Sequence, residues 1–443
     1  MAQLIPANSP QKTCRHRPLM KPLIQCKEWS KLSVGSGGKL QGDEDITSIL
    51  RAWRQKTGRD PAGYFDVTGS AIIPKFWSGT LETSRLRLEV APMGSDLLGV
   101  KQRANLDANL TAMLAYATSS QSVSSGLSHV SEHGNRYEAL VSVFCHELQL
   151  ARRRLILRRY VTKRESINAP KGRIVFPAQC YESIRRPGMV ASEWVSLTED
   201  IAENRIFKAV LTLYRPRCAS GLRAKIDECA AELDGVQIPS DVTVEWPRVR
   251  TDRLPNDYVE LLRLSQMLLN DEGVGVFAGD TLAVGEIIFT SRLFESYVTK
   301  EVKHAASVAG LIASSQSRGM FLCSNENDAG IFELIPDMRI VNSAGKTRAV
   351  LDAKWKELDQ GNRSRGVKRE DIYQLLVYGA KYKCEELFLV YPDVSLETGA
   401  AGHLENFSAD LGGTLYKIGI VSIPMLGSRL ETASSFLRQV LLS

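Results

Sequence analysis

The sequence predicts a mixed α/β chain in two parts, a β-rich and then helical N-terminal region followed by a C-terminal α/β core. Three observations carry this expectation. Leu86, Leu88 and Val90 alternate with Arg87 and Glu89, the period of a strand with one buried face. Leu106, Leu110, Met113, Leu114 and Ala117 recur at helical spacing, as do Leu261, Leu262, Leu264, Met267 and Leu268. From about residue 286 the order reads helix, strand, hairpin, helix, apolar strand, which suits a sheet flanked by helices.

Taken in order, residues 1–20 read as a disordered basic leader and residues 21–95 as β-rich. A largely helical stretch extends to 285, interrupted by a Ser- and Gly-rich loop over 118–134. Residues 286–443 form the C-terminal core, with strands over 387–391 and 415–423 and a short helix near Phe436. There is no internal repeat.

At 443 residues, 44% hydrophobic and 24% charged, the chain has the length for two or three domains with their own cores. No apolar run reaches the roughly 18 residues of a transmembrane helix, so no membrane association is expected. Residues 1–33 are basic, with Arg15, Arg17, Lys21 and Lys27, but lack the apolar core of a signal peptide, and a cytoplasmic location is expected. The eight cysteines show no Cys-x-x-Cys pair, which signals neither a zinc site nor a disulfide framework. The six histidines are dispersed; His146, in an amphipathic stretch, reads as a satisfied or surface residue.

The chemistry concentrates in one stretch. Asp337 is followed fifteen residues later by Asp352, and then by Ala353 and Lys354. The intervening residues read as a β-hairpin whose turn centres on Ala344 and Gly345. That register sets Asp337 directly opposite Asp352, on one face. Lys354 shares the face, while Ala353 and Trp355 turn the other way. Two hard carboxylates suit Mg²⁺, and the backbone carbonyl of Ala353 could add a ligand. Lys354 would orient a water or stabilise developing negative charge, giving metal-assisted phosphodiester hydrolysis. By spacing alone a second reading stays open, in which Asp337 ends a strand and Asp352 pairs with Lys354 on a solvated face.

The next segment adds weight. Gln374 and Tyr378 lie four apart, on one face of a helix. Asp337, Asp352, Lys354 and the Gln374-x-x-x-Tyr378 helix together resemble the PD-(D/E)xK nuclease superfamily, whose core sets the acidic pair and lysine on adjacent strands beside such a helix. More narrowly, Leu351-Asp352-Ala353-Lys354-Trp355-Lys356 with Asp371-Ile372-Tyr373-Gln374 and Tyr378 is similar to McrC, the nuclease subunit of modification-dependent McrBC restriction systems. Leu293-Phe294-Glu295 resembles a helix of that family whose glutamate lies near the metal. For Glu295 two readings stand, a site residue or a surface acid flanking the apolar stripe Leu293, Phe294, Tyr297, Val298 and Val302. Lys171-Gly172-Arg173-Ile174 and Asn204-Arg205-Ile206-Phe207-Lys208 are similar to further family elements. Residues 84–92 resemble a family strand ending in Pro-Lys, although here Met93 follows Pro92.

The resemblance implies a restriction-endonuclease-like core over 286–443, catalysis by Asp337, Asp352, Lys354, Gln374, Tyr378 and Glu295, and metal held by Asp337, Asp352 and Ala353. It also implies an AAA+ ring partner, McrB-like, that binds GTP or ATP, with docking through residues 21–285, and double-stranded DNA bearing methylated or otherwise modified bases as substrate. The chain itself lacks a phosphate-binding loop: Gly345-Lys346-Thr347 comes nearest, but the first glycine would fall on Ile340, and Gly366 is followed by Val367. The competing expectation is a regulatory scaffold that activates the partner without cutting.

Two basic stretches are candidates for nucleic-acid contact within a net charge of +6. Arg152, Arg153, Arg154, Arg158, Arg159, Lys163 and Arg164 read mainly as the solvated side of one long helix that begins near Tyr137, with DNA or partner contact as alternatives. Arg363, Arg365, Lys368 and Arg369 lie in the loop between the Asp352 strand and the Gln374 helix, which DNA would have to pass.

Overall fold

The structure is a computed structural model that describes residues 21–35, 37–95, 99–117, 136–270, 283–284, 287–359, 362–394 and 402–425. The expected leader over 1–20, the loop over 118–134 and the helix near Phe436 lie outside the described residues. The fold is mixed α/β with several sheets, as expected for the class.

The N-terminal part contains β1 (Leu23–Lys27), β2 (Leu32–Ser33), α1 (Asp43–Thr57), β3 (Phe65–Thr68), β4 (Ala71–Pro74), β5 (Gly79–Glu82) and β6 (Arg87–Ala91). Two three-stranded sheets, ordered β1-β6-β5 and β2-β4-β3, enclose a core built around Trp53, Trp77 and Leu88. Leu88 and Val90 are buried and Arg87 is exposed, so the alternation reads correctly. The 15-residue helix α1 was not anticipated inside this β-rich region. Its signals are present in the sequence: three acids in the first turn, Ile46, Ile49 and Trp53 on one face, and Gly58 as a left-handed C-cap.

The middle holds α2 (Val100–Ala117), α3 (Arg136–Arg154), β7 (Arg159–Ile167), β8 (Arg173–Ile174), α4 (Phe176–Arg185), β9 (Val190–Thr198), α5 (Ala202–Tyr214), α6 (Ser220–Ala231) and α7 (Asn256–Asn270). The stretch is largely helical, as expected, but not throughout, and that part of the expectation is corrected: β7, β9 and β8 form a sheet in which β9 is central. This sheet and α4 form an arm that leaves Tyr160, Phe176, Tyr181, Ile184 and Val195 exposed. Gly172, at φ +69, brings the chain against β9 so closely that a Cβ there would lie 2.4 Å from the Glu193 carbonyl oxygen.

The single long helix expected to carry the arginines is also corrected. Helix α3 stops at Arg154, and Arg159, Lys163 and Arg164 lie on β7. Arg153, Arg154, Arg158 and Arg164 are exposed, in keeping with a solvated face, yet most of the cluster is paired with carboxylates rather than left as an open phosphate track. Arg152 is only 8% exposed and meets Glu199 and Glu232 at 3.0 and 3.2 Å. Arg154 pairs with Asp257, Arg158 with Glu199, Arg159 with Glu203 and Arg164 with Glu193.

The C-terminal part comprises β10 (Ala283–Val284), β11 (Ile287–Ile288), α8 (Thr290–Val308), β12 (Ile312–Ser315), β13 (Phe321–Ser324), β14 (Gly330–Glu333), β15 (Met338–Val341), β16 (Thr347–Ala353), α9 (Arg369–Tyr382), β17 (Glu386–Asp393), β18 (Gly402–Leu411) and β19 (Thr414–Pro424). Six of these strands form one sheet, ordered β12-β15-β16-β17-β19-β18. Strand β16 pairs antiparallel with β15 and parallel with β17. Its alternation splits the two cores: Val350 packs beneath α9 with Leu387, Leu389 and Ile418, while Leu351 packs on the other face with Phe294 and Tyr297 of α8. That second core runs without a break into the helices of the middle region. Among the described residues, no helix is long and apolar enough to cross a membrane.

Candidate active site

The β15–β16 register is the one the sequence predicts. Met338 faces Leu351, Arg339 faces Val350 and Ile340 faces Ala349, so the next step of the ladder sets Asp337 against Asp352. A bulge between Ile340 and Val341 lies at the turn end, away from the carboxylates. In the turn, Asn342 accepts through Oδ1 from the amides of Ala344 and Lys346, and Gly345 takes φ +77.

Asp352 shares its face with Val350, so both aspartates point to the α9 side of the sheet. Asp337 Oδ2 accepts from the Ala353 amide at 2.8 Å. Asp352 is 3% exposed, and the Lys354 ammonium lies against its Oδ2. Lys354 also donates to Gln374 Oε1 at 3.1 Å, and Gln374 Nε2 donates to the Tyr378 hydroxyl at 2.8 Å. The Tyr378 hydroxyl in turn donates to the Ile335 carbonyl at 3.2 Å, which anchors the backbone two residues before Asp337. The two aspartates, Lys354, Gln374 and Tyr378 thus close one ring of contacts. Ala353 and Trp355 turn to the opposite face as expected, where Trp355 is buried against Phe294.

Glu295, near the start of α8, accepts from Gln316 Nε2 at 3.2 Å. Gln316 also donates its backbone N–H to the Asp337 carbonyl at 3.1 Å, so it links the two acids. The apolar stripe Leu293, Phe294, Tyr297, Val298 and Val302 is buried, which leaves Glu295 half-buried at the rim.

The electrostatics follow from burial. Desolvation, together with the neighbouring Asp352 and Glu295, pushes the Asp337 carboxyl up to about 8. Burial also raises Asp352, against the pull of Lys354. Burial works to lower Lys354, yet Asp352 and Asp371 outweigh it, so the ammonium holds its proton above the usual lysine range. Tyr378 is pushed by burial to about 12 and remains a donor.

The donor chemistry fits Mg²⁺. Two desolvated carboxylates that repel one another form a site that a divalent cation would neutralise, and Mg²⁺ takes few protein carboxylates while keeping waters and phosphate oxygens. Among the described residues there is no group of three or more His, Cys, Asp or Glu placed to hold a metal.

Sequence reasoning did not single out Gln316 or the Lys356–Asp371 pair. Lys356 donates to both Asp371 oxygens at 2.9 and 2.7 Å, and Asp371 lies 3.8 Å from Lys354. The Asp371–Lys356 spacing of fifteen residues carries no period that would mark them as neighbours. In the loop before α9 and at its first residue, Arg363, Lys368 and Arg369 are exposed, whereas Arg365 is paired with Glu405 at 3.0 Å.

No curated protein matches the chain at a significant level. A chain of the Thermococcus gammatolerans tetradecameric assembly of McrB AAA+ hexamers with bound McrC has a similar fold, with TM-score 0.56 and 17% identity over 95% of this chain and 99% of that one. A chain of the Thermococcus gammatolerans McrBC complex matches at TM-score 0.38 and 17% identity, over 64% of this chain and 88% of that one. The family described as McrBC 5-methylcytosine restriction system component matches residues 71–392. That span is well over half of the 443 residues, and the chain belongs to this family, as a McrC-type component.

Proposed function

We propose that this chain is the Mg²⁺-dependent DNA endonuclease subunit of a McrBC-type restriction complex, with a PD-(D/E)xK core over 286–443. The observation that carries the reading is the position of Lys354, whose ammonium lies against Asp352 and donates to Gln374 while Asp337 is held directly across the ladder from Asp352.

Asp337, Asp352 and the Ala353 carbonyl would hold the metal. When bound there, Mg²⁺ would acidify a water and offset charge on the phosphate. Lys354, whose ammonium is held by Asp352 and Asp371, orients the attacking water or stabilises negative charge developing on the phosphoryl oxygens. Gln374 fixes the ammonium through its carbonyl oxygen, and Tyr378 fixes Gln374 and the segment entering Asp337. Glu295, reached through Gln316, adds negative charge at the rim and is a secondary site residue.

Substrate and partner follow from the family. The substrate is double-stranded DNA with methylated or otherwise modified bases, its backbone passing Arg363, Lys368 and Arg369. The partner is an AAA+ ring that binds GTP or ATP, met by the N-terminal region over 21–285. The exposed apolar side chains of the arm, Phe176, Tyr181 and Ile184, support docking there, since free apolar surface of this kind marks interaction sites.

The test is cleavage of methylated and unmethylated plasmid with Mg²⁺ and nucleotide, using the chain with and without the AAA+ partner and Asp352→Ala as control. Partner-dependent cutting that disappears in Asp352→Ala is the expected outcome. A wild-type chain that never cuts but still accelerates nucleotide hydrolysis would leave the regulatory scaffold as the function.

A further inference from the structure

Glu28, the residue after β1, is 1% exposed and lies far in sequence from the two strands that carry the aspartates. Its carboxylate accepts from Thr290 Oγ1 at 2.5 Å, from the Met93 amide at 2.9 Å and from Trp355 Nε1 at 2.9 Å. A backbone hydrogen bond from Trp77 completes the set. These donors are all neutral and come from four separate segments. Burying a carboxylate without a cation beside it is costly, and an apolar side chain would fill the same space without that cost. The arrangement therefore calls for a reason beyond packing.

The reason lies in what the donors carry. Trp355 follows Lys354 directly, and Thr290 opens α8, five residues before Glu295. The Trp355 ring also packs on Phe294, next to Glu295, with ring centroids 5.6 Å apart. Met93 follows the exit of β6, which pairs along the whole of β1. One carboxylate thus joins the N-terminal sheet to both sides of the candidate site.

We infer that Glu28 is a positioning residue that sets, from the N-terminal sheet, the relative placement of the strand end bearing Lys354 and the helix bearing Glu295. A shift of that sheet reaches Lys354 through only two contacts, Glu28 to Trp355 and Trp355 to its neighbour in the chain. The geometric claim stands by itself; its meaning for catalysis rests on the nuclease reading.

Glu28→Gln places an amide NH₂ where an oxygen now meets two donors, and Trp355→Phe removes the indole N–H while keeping a ring. Measured on the full chain with its AAA+ partner, each change lowers the single-turnover cutting rate about 10- to 100-fold with DNA affinity unchanged. The double variant loses no more than the worse single one, because both break the same contact. Backbone hydrogen exchange of the full chain provides a readout free of catalysis. Glu28→Gln speeds exchange at Lys354, whose amide bonds the Val390 carbonyl, and in the first turn of α8, while Val350 is unaffected. Unchanged exchange at Lys354 overturns the inference whatever the cutting rate, and so do additive losses in the double variant. If the wild type never cuts but exchange responds as described, the nuclease reading falls and the positioning role stands. Should Glu28→Gln fail to fold, Trp355→Phe carries both measurements.

Discussion

The Lys354 ammonium donates to Gln374 Oε1 across 3.1 Å, and so a residue on the sheet is oriented by a residue on the helix that covers it. Gln374 uses its other end on Tyr378, which leaves its amide no freedom to flip. Chemistry at Lys354 is thereby tied to the packing of α9 on β16.

Lys354→Met should retain the fold and lower single-turnover cutting about 10²- to 10³-fold, the scale for loss of one positioned charge-stabilising group. Gln374→Ala, which leaves the ammonium but releases it, should give a smaller loss. Equal rates for Lys354→Met and wild type would remove Lys354 from the mechanism.

Stability should fall as pH rises from about 5 to about 8 in the metal-free protein. Desolvation raises Asp337 from 3.8 to about 8 and Glu28 from 4.5 to about 7. Groups whose carboxyls sit higher when folded bind more protons in the folded state across that window. Their contribution is complete below 3.8 and 4.5 and is lost as pH climbs through the folded values. Mg²⁺ should restore stability increasingly toward high pH, since its ligands must be deprotonated. Thermal midpoints in chelator and in Mg²⁺ check this; a midpoint in chelator that rises between pH 5 and 8 contradicts it.

Arg152→Ala should destabilise the chain by about 1–3 kcal/mol, because it removes the buried guanidinium that joins Glu199, Glu232 and the Glu232 carbonyl, while Glu199 keeps Arg158 and Glu232 stays open to solvent. The same change should leave the salt dependence of DNA binding untouched. Chemical denaturation and a salt titration of affinity measure the two effects.

In the loop before α9 the opposite pattern is expected. Lys368→Ala or Arg363→Ala should each reduce the slope of log affinity against log salt by about 1, with little effect on stability. Arg365→Ala should leave that slope unchanged, since its guanidinium is held by Glu405. A slope that moves only with Arg365 would place the DNA elsewhere.

Tyr181→Ser and Ile184→Ser, both on the exposed face of α4, should alter stability by no more than about 0.5 kcal/mol, as surface changes do. They should nonetheless weaken stimulation of the partner's nucleotide hydrolysis. Full stimulation by the double variant would remove this face of the arm from docking.

The candidate site was legible because its information is local. A turn with Asn342 and Gly345 fixes a register, period two fixes a face, and a spacing of four puts Gln374 beside Tyr378. The arginine cluster misled for an equally local reason: Leu155 and Ile156 prolong the apolar pattern past the end of α3, so the break before β7 has no compositional mark. The β7–β9 sheet was hidden because its apolar side chains are largely exposed, which blurs the alternation that announces a half-buried strand. Glu28 was out of reach altogether. Its partners Met93, Thr290 and Trp355 lie 65, 262 and 327 residues away, and no periodicity connects them.

The bulge between Ile340 and Val341 divides the β15–β16 hairpin into two parts that answer to different demands. Below it, a slip of one residue would turn Asp352 away from Asp337. Above it, the ladder has already changed step, so lengthening or shortening the turn over 342–346 need not propagate downward. The chain can therefore carry a longer or altered segment at that tip while the inner end of the hairpin, with its two carboxylates, stays fixed.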